Sequence, residues 1–529
     1  MENMEETFNN DYFENLKIEE ENRSKNCAKR RKKILCIFLI IFLIISIIIG
    51  LFFLLKEILA KKGGKITCFY LTTKTNEILQ LINIKEDIKF NLIIDDTDYD
   101  RENTHSFAND GLHNVTFIFK NKLDSLESFF EDIPNLIKVD FSQSVTENIN
   151  SMEKLFKNCN NLENVTFGIN FDTSKVTKMD YMFFGCEKLK NLDLSNFNLE
   201  SLISSHLMFG LCYNLIDIKF NSNTKTKNLK DISYMFSHCK SLEYINTEIF
   251  KENKIVNLNY TFSNCYSLKE INLSNFETKA IKEMIGTFYK CSSLTKVDMI
   301  NFNALNLESI QQIFYGCTSL TNLNLSMINT NKLYNTNFAF YDCKSLVSLD
   351  LSSINLSLVN YSNYMFLNCL SLQYLALPNN MNNIKNAISM FENCNNIKNI
   401  NLQFLENDSN LENIYSMFHG CSNLIEIEFP KVKADLLTDT TQMFYGCTSL
   451  KKINLQKLES MSITDMSFMF YNCINLENLD ISNLGTRKVE NSDSLFEGVK
   501  KNIDIKYDQS KTSDIIKAKI EDLKKVNSF

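Results

Sequence analysis

The residues with the widest chemical reach in this chain are its cysteines, and their spacing is regular. Of 16 cysteines in 529 residues, thirteen fall at Cys159, Cys186, Cys212, Cys239, Cys265, Cys291, Cys317, Cys343, Cys369, Cys394, Cys421, Cys447 and Cys473. Neighbours lie 25 to 27 positions apart, and each follows a phenylalanine by three positions, from Phe156 to Phe470. Sulfur in such a series could bind zinc, cross-link the chain or pack as a small hydrophobe. Zinc takes ligands in close pairs such as Cys-x-x-Cys, and no two of these thirteen are that close. Disulfides are geometrically open, because strands of a sheet lie ~4.8 Å apart and a disulfide spans a Cα separation of roughly 4.4 to 6.8 Å. Thirteen is odd, however, and the register continues into Ile133 after Phe130 and Val499 after Phe496. A buried apolar slot accepts an aliphatic residue in place of sulfur, whereas a ligand or cross-link does not. We read an inward column of free thiols, with partial disulfide pairing as the competing reading.

Other chemistry is sparse. His105, His113, His206, His238 and His419 sit in no metal-ligand spacing, and there is no glycine-rich phosphate loop, H-E-x-x-H or nucleophile elbow. The acidic run from Asp95 to Asp100 resembles the start of a calcium loop. Counted from Asp96, its sixth position is Arg101 and its twelfth Phe107, where an EF-hand needs Gly and Glu. It reads as a solvated turn. The chain is expected to be no enzyme and to carry no cofactor or metal.

The Phe-x-x-Cys period requires a particular kind of scaffold. A unit of about 26 residues cannot bury its own apolar face and is stable only when stacked on neighbours, so the period means a solenoid. Residues six and eight after each cysteine are nearly always apolar (Leu192/Leu194, Ile271/Leu273, Leu323/Leu325, Leu349/Leu351) between polar ones, which is the period of a half-buried strand. The stretch before each cysteine, such as Ser233 to Cys239, lacks this alternation and reads as a helical turn on the outer side. The phenylalanine column, unbroken from Phe130 to Phe496 in fifteen registers, reads as the spine of the core.

In wording as well as spacing, the copies Tyr181 to Phe197 and Tyr364 to Leu377 resemble the BspA-like leucine-rich repeats, whose pattern is M-F-x-x-C-x-x-L-x-x-L-D-L-S-x-F-x-T. The resemblance covers roughly residues 125 to 500. It implies an α/β fold, a right-handed leucine-rich-repeat solenoid with a concave parallel β-sheet and short helical turns on the convex side. It also implies binding or adhesion at a cell surface, without fixing a ligand.

If the array binds a partner, the concave strand face is the expected surface. Seven residues after each cysteine, a column of carboxylates and amides includes Asp193, Asn272, Asp298, Asn324, Asp350, Glu428 and Asp480; five residues after, Tyr244 and Tyr374 stand among charged and amide residues. These nine are the candidate ligand-binding residues, suited to a basic protein patch or to glycan hydroxyls. Asn or Asp at this strand position also belongs to the repeat's own wording, so part of the ladder reads as ordinary solvated surface.

The remaining segments set the topology. Ile34 to Leu55 is a run of twenty-two residues without a charge, ~33 Å as a helix and long enough to cross a bilayer. A cleaved signal peptide would have a shorter apolar core and a small-residue cleavage site, and here Lys56 and Glu57 follow directly. Seven cations from Arg23 to Lys33 face four from Lys56 to Lys65, so the N-terminal side is expected to stay cytosolic. The resulting domains are a cytosolic tail (1–33), a transmembrane signal-anchor (34–55), a small β-rich N-terminal cap (65–122), a solenoid of about 15 repeats (123–500) and a C-terminal cap of strand and helix (501–529). Within the N-terminal cap, 76–81 reads as helical. Unpaired thiols outside the cell strain against an oxidising compartment, which burial reconciles; a solenoid facing a lumen or the cytosol is the alternative.

Charges within residues 1–33 cancel, so the net charge of -7 lies beyond the apolar segment and argues against nucleic acid. The expected function is a single-pass, membrane-anchored surface protein that binds a protein or glycan partner. A passive surface coat and a receptor or scaffold are the alternatives.

Overall fold

The computed structural model describes residues 63–524 apart from 85, 86, 222, 301, 326, 327, 329 and 407–409, together with 17, 21, 23–25, 29, 30, 32, 33, 37, 38 and 40–51. The chain divides into two compact units, Met1–Gly63 with Lys120–Lys122, and Gly64–Phe119 with Leu123–Phe529. In the first unit 40–51 is helical with exposed apolar side chains. Of the expected transmembrane segment, residues 34–36, 39 and 52–55 lie outside the described residues, as does most of the expected tail. Among the described residues, no helix is long and apolar enough to cross a membrane.

The second unit opens with strands β1 (Lys65–Thr72), β2 (Glu77–Gln80), β3 (Phe90–Ile94), β4 (Thr97–Tyr99), β5 (Thr104–Phe107) and β6 (Gly111–Phe119). Then come β7 (Leu136–Asp140) and β8 (Asn164–Thr166), and the sheet order β4-β3-β6-β1-β7-β8 makes the first repeats continuous with the cap. The expected helix over 76–81 is instead β2, paired antiparallel with β5. Local composition favoured neither state, and the partner strand about 25 residues downstream decides it. The acidic run turns between β3 and β4, with Asp95 and Asp96 both at positive φ (47° and 66°). That is the two-residue hairpin turn whose twist matches its strands.

From there the chain is a parallel β-solenoid of about 14 turns. Its strands are β9 (Asn191–Leu194), β10 (Asp217–Phe220), β11 (Glu270–Asn272), β12 (Lys296–Asp298), β13 (Asn322–Asn324), β14 (Ser348–Asp350), β15 (Tyr374–Ala376), β16 (Glu426–Glu428), β17 (Val432–Lys433), β18 (Lys452–Asn454), β19 (Leu458–Glu459), β20 (Asn478–Asp480) and β21 (Asp504–Lys506), before helix α1 (Asp514–Lys524). A second parallel ladder of single bridges runs from Ser151 through Lys178 and Ser204 to Asn491, eight residues before each cysteine position. Thirteen bridges join its fourteen positions, one position fewer than the fifteen phenylalanine registers. Ile516, Ile520 and Leu523 of α1 are buried at the far end.

The stretch before each cysteine is not helical. Residues five and one before it take positive φ in repeat after repeat (Tyr181 and Gly185, Tyr234 and His238, Tyr364 and Asn368). Each such residue breaks a right-handed helix. Alternate N–H groups are thereby aimed at the next repeat: Met152 N–H donates to Lys178 O (3.0 Å), Lys154 to Asp180 O (2.8 Å), Phe156 to Met182 O (2.8 Å) and Asn158 to Phe184 O (2.7 Å). The expected helical turns are thus chained tight turns that bond across the stack.

Inside, the fifteen phenylalanines form one continuous pile. Successive rings from Phe130 to Phe496 stack at 5.4 to 5.9 Å, near-parallel within 22°. Such aromatic pairs add about 0.5–1.5 kcal/mol each beyond their burial.

Candidate functional site

The thiols come first because they are the most reactive groups. All fourteen described cysteines are free and buried, which removes the disulfide reading for these residues. Each repeat thiol instead donates to the carbonyl of the phenylalanine one repeat earlier: Cys159 to Phe130 O (2.8 Å), Cys291 to Phe262 O (3.0 Å), Cys473 to Phe444 O (3.1 Å), and likewise throughout. Burial pushes these thiols up, to about 12 at Cys265, Cys421 and Cys473. A group held so firmly as S–H is a poor nucleophile and a poor metal ligand.

A constellation that spacing did not reveal sits in the cap. His113 Nδ1 lies 2.7 Å from Asp95 Oδ2, and its Nε2 3.0 Å from Thr72 Oγ1. The order of contacts is that of a hydroxyl–imidazole–carboxylate relay, but Thr72 is only 2 % exposed. Its hydroxyl also lies 3.1 and 3.2 Å from Asn109 O and Gly111 O, while Asp95 Oδ1 accepts the Asn114 N–H. The network ties the β3–β4 turn to β6. Its members are 18 and 41 positions apart, so only strand pairing could bring them together.

On the strand face, the expected columns are assembled. Asp193 pairs in register with Lys219, Asn272 with Asp298, Asn324 with Asp350, and Glu428 and Asp480 flank Asn454. Much of this ladder has a local task. The N–H groups of Ser195, Ser274, Ile300, Ser352 and Ser482 donate to Asp193, Asn272, Asp298, Asp350 and Asp480 at 2.8 to 3.0 Å, closing the turn that leaves each strand. The Ser195 and Ser352 hydrogen bonds hold the Asp193 and Asp350 carboxyls below the usual carboxylate range. Glu428 accepts from Lys457 Nζ at 3.0 Å.

Tyr244 and Tyr374 differ from this ladder. Each is 59 % exposed, and no other ring packs on either. On the turn side, by contrast, tyrosines stack on one another, with Tyr289, Tyr315 and Tyr341 at 4.7 and 4.3 Å. A cleft of about 480 Å³ opens there among Asp180, His206, Asp231 and Tyr234, but Asp180 is satisfied by Ser204 and His206, and His206 by Ser233.

The strand sheet is not continuous. Two repeats lack the strand altogether, those of Cys239 and Cys394, and pass into 3₁₀ turns at Thr247–Phe250 and Gln403–Leu405. In each, two bulky side chains after the strand position (Ile249 and Phe250; Phe404 and Leu405) turn into the core and draw the chain out of the ladder. At the second gap, the main-chain groups of Asn399, Ile400 and Asn401 make no inter-repeat hydrogen bond. A polar cleft of about 440 Å³ opens there, lined by Asn399, Asn401, Gln403, Glu426, Glu428, Lys452 and Lys457 among others. Tyr374 stands one repeat before Asn399 in the same column.

Residues 124–249, 230–348 and 412–528 match a family model described as "Mycoplasma protein of unknown function, DUF285". Residues 312–441 match the BspA type leucine rich repeat region, in six copies. The chain belongs to the BspA-like leucine-rich-repeat family. No curated protein matches it. Two solved structures are similar to this family member. One is a TLR13–ssRNA13 complex, 16% identical over 67% of this chain and 58% of that one, with a TM-score of 0.22. The other is the functional domain of InlJ from Listeria monocytogenes, described as including a cysteine ladder, 13% identical over 73% and 74% of the two chains, with a TM-score of 0.19. The chain thus spans 58% of the length of the first.

Proposed function

We propose that this chain is a single-pass, membrane-anchored surface protein whose strand face binds a protein or glycan partner in adhesion or recognition. The family and its repeats support a protein-interaction or surface-type role, and the solenoid is a fold of binding scaffolds more than of enzymes. Anchoring rests on the uncharged run Ile34 to Leu55, and outward orientation on the cations before it. The acidic balance supports a partner other than nucleic acid.

The observation that carries the binding assignment is the contrast between two kinds of surface residue. Rings on the turn side stack on one another, and the strand-face aspartates Asp193, Asp298, Asp350 and Asp480 close turns, yet Tyr244 and Tyr374 are each 59 % exposed with no ring stacked on them. Tyrosine held on a rigid element offers a large contact area at little cost in conformational entropy.

The test avoids Asp193, Asp298, Asp350 and Asp480, whose replacement would also open turns. Asn322→Arg, Ser348→Arg and Glu426→Arg together would crowd the column five residues after each cysteine and leave the turn-closing groups intact. On intact cells that express the tagged full chain, external protease should remove a C-terminal tag. The triple variant should keep its melting temperature and lose at least about tenfold in attachment to a matrix-coated surface. Unchanged attachment would make the array a passive coat, and a protected tag would place it in a lumen or the cytosol.

A further inference from the structure

We infer that Tyr374 and the cleft at the strandless Cys394 repeat form a binding site for a neutral glycan. The inference rests on the strand face being the binding surface and names what one part of it takes.

Charge is the first reason. In the two strand-face columns, the four repeats from Asn322 to Asn401 carry Asn322, Asn324, Ser348, Asp350, Tyr374, Ala376, Asn399 and Asn401. The single charge, Asp350, already accepts the Ser352 N–H. Charged residues return on both sides of this window, at Lys296 and Asp298 before it and at Glu426 and Glu428 after it. The charges that line the cleft itself are two of each sign, Glu426 and Glu428 with Lys452 and Lys457, and Glu428 already accepts from Lys457, so a ligand of either charge gains little there.

The second reason is the ring. Tyr374 pairs in register with the small Ser348, and Asn399 follows it, so neither neighbour covers its face. Tyr244, equally exposed, stands between Asp217 and Glu270 in the same column. A pyranose presents an apolar C–H face that stacks on such a ring and hydroxyls that both donate and accept.

The third reason is unused hydrogen-bonding capacity. The main-chain donors and acceptors of Asn399, Ile400 and Asn401 are without inter-repeat partners beside a cleft of about 440 Å³, a volume within the roughly 300–1,000 Å³ of ligand sites. Asn401 Oδ1 takes the Gln403 N–H, which orients its amide along the cleft wall. A protein partner fits less well, because the core of such an interface is apolar and desolvated. Among the described residues of these columns around Tyr374 no other apolar side chain is exposed; Val347, one position before its column, is at 38 %.

The experiment titrates purified full-length chain, in detergent, with cellohexaose, maltohexaose and mannohexaose, and with a heparin hexasaccharide as the charged control. Saturation-transfer NMR and calorimetry provide the readout. At least one neutral hexasaccharide should bind, Tyr374→Ala should weaken it roughly tenfold, and Tyr374→Phe should retain it within about twofold, because the ring face and not the hydroxyl makes the contact. Tyr374 is exposed on one strand, and circular dichroism of both variants checks that the fold is kept. No binding by any neutral hexasaccharide, binding by heparin alone, or binding indifferent to Tyr374→Ala would each overturn the inference. If attachment nevertheless fails in the Asn322, Ser348 and Glu426 triple variant, the strand face binds a protein and only the glycan assignment falls.

Discussion

A buried thiol on each repeat does two jobs at once: it fills a core position and supplies a hydrogen atom. Each phenylalanine carbonyl has two lone pairs. Phe156 O takes the Cys159 N–H of its own repeat and the Cys186 thiol of the next. An aliphatic residue would leave the second lone pair dry. The consequence for pH has a definite sign. The folded thiols are raised, to about 12 where burial is the main cause at Cys265, Cys421 and Cys473, while an unfolded thiol titrates near 8.5. Their neutral form is therefore fully stabilising below the unfolded value, and that stability is lost as pH rises from about 9 towards 12. Each thiol released in an unfolding unit should cost about 1.4 kcal/mol per pH unit across this window. Alkylation by iodoacetamide, counted by mass spectrometry, should leave these thiols unmodified in native protein near pH 9 and modify them in guanidinium at the same pH. Native alkylation near pH 9 would mean that the column is open to solvent.

At the scale of the element, the segment before each cysteine holds a left-handed residue at every fourth position. Eleven of these positions, such as Asn158, Gly185, Asn264 and Gly316, are filled by the two residue types that adopt it most easily. Leu211 is not among them, with φ at 61°, and Leu211→Asn should raise stability by up to about 1 kcal/mol. A lower melting temperature would show that the half-buried side chain matters more than the backbone. The recurrence of Gly and Asn before cysteine is a signal in the sequence that a helical reading passes over. The strands were legible because Leu192 and Leu194 and their counterparts alternate with polar residues. The missing strands were not, since the Cys239 and Cys394 repeats keep the apolar residue six after the cysteine, Ile245 and Ile400, and lose the strand only through the bulky pairs that follow. Tyr374 could be picked out from its column. The cleft beside it could not, because it depends on a strand failing to form.

For the whole molecule, stacking makes stability a sum over neighbours. Almost every bond that closes a repeat goes to the next one, and the phenylalanine pile has no member that contacts more than its two neighbours in the column. Phe340 lies between Phe314 at 5.7 Å and Phe366 at 5.5 Å and is 1 % exposed. Phe340→Ala removes both stacks and leaves a cavity, which should cost about 3–5 kcal/mol. In a globular domain with one shared core, that loss would lower protection everywhere. Here, hydrogen exchange should speed up in the repeats between Cys291 and Cys394 and stay unchanged in the β1–β6 cap and from β18 to α1, because foldons in a stacked array open separately. Uniform loss of protection across residues 64–524 would instead show that the array unfolds as one unit, with coupling that reaches well beyond nearest neighbours.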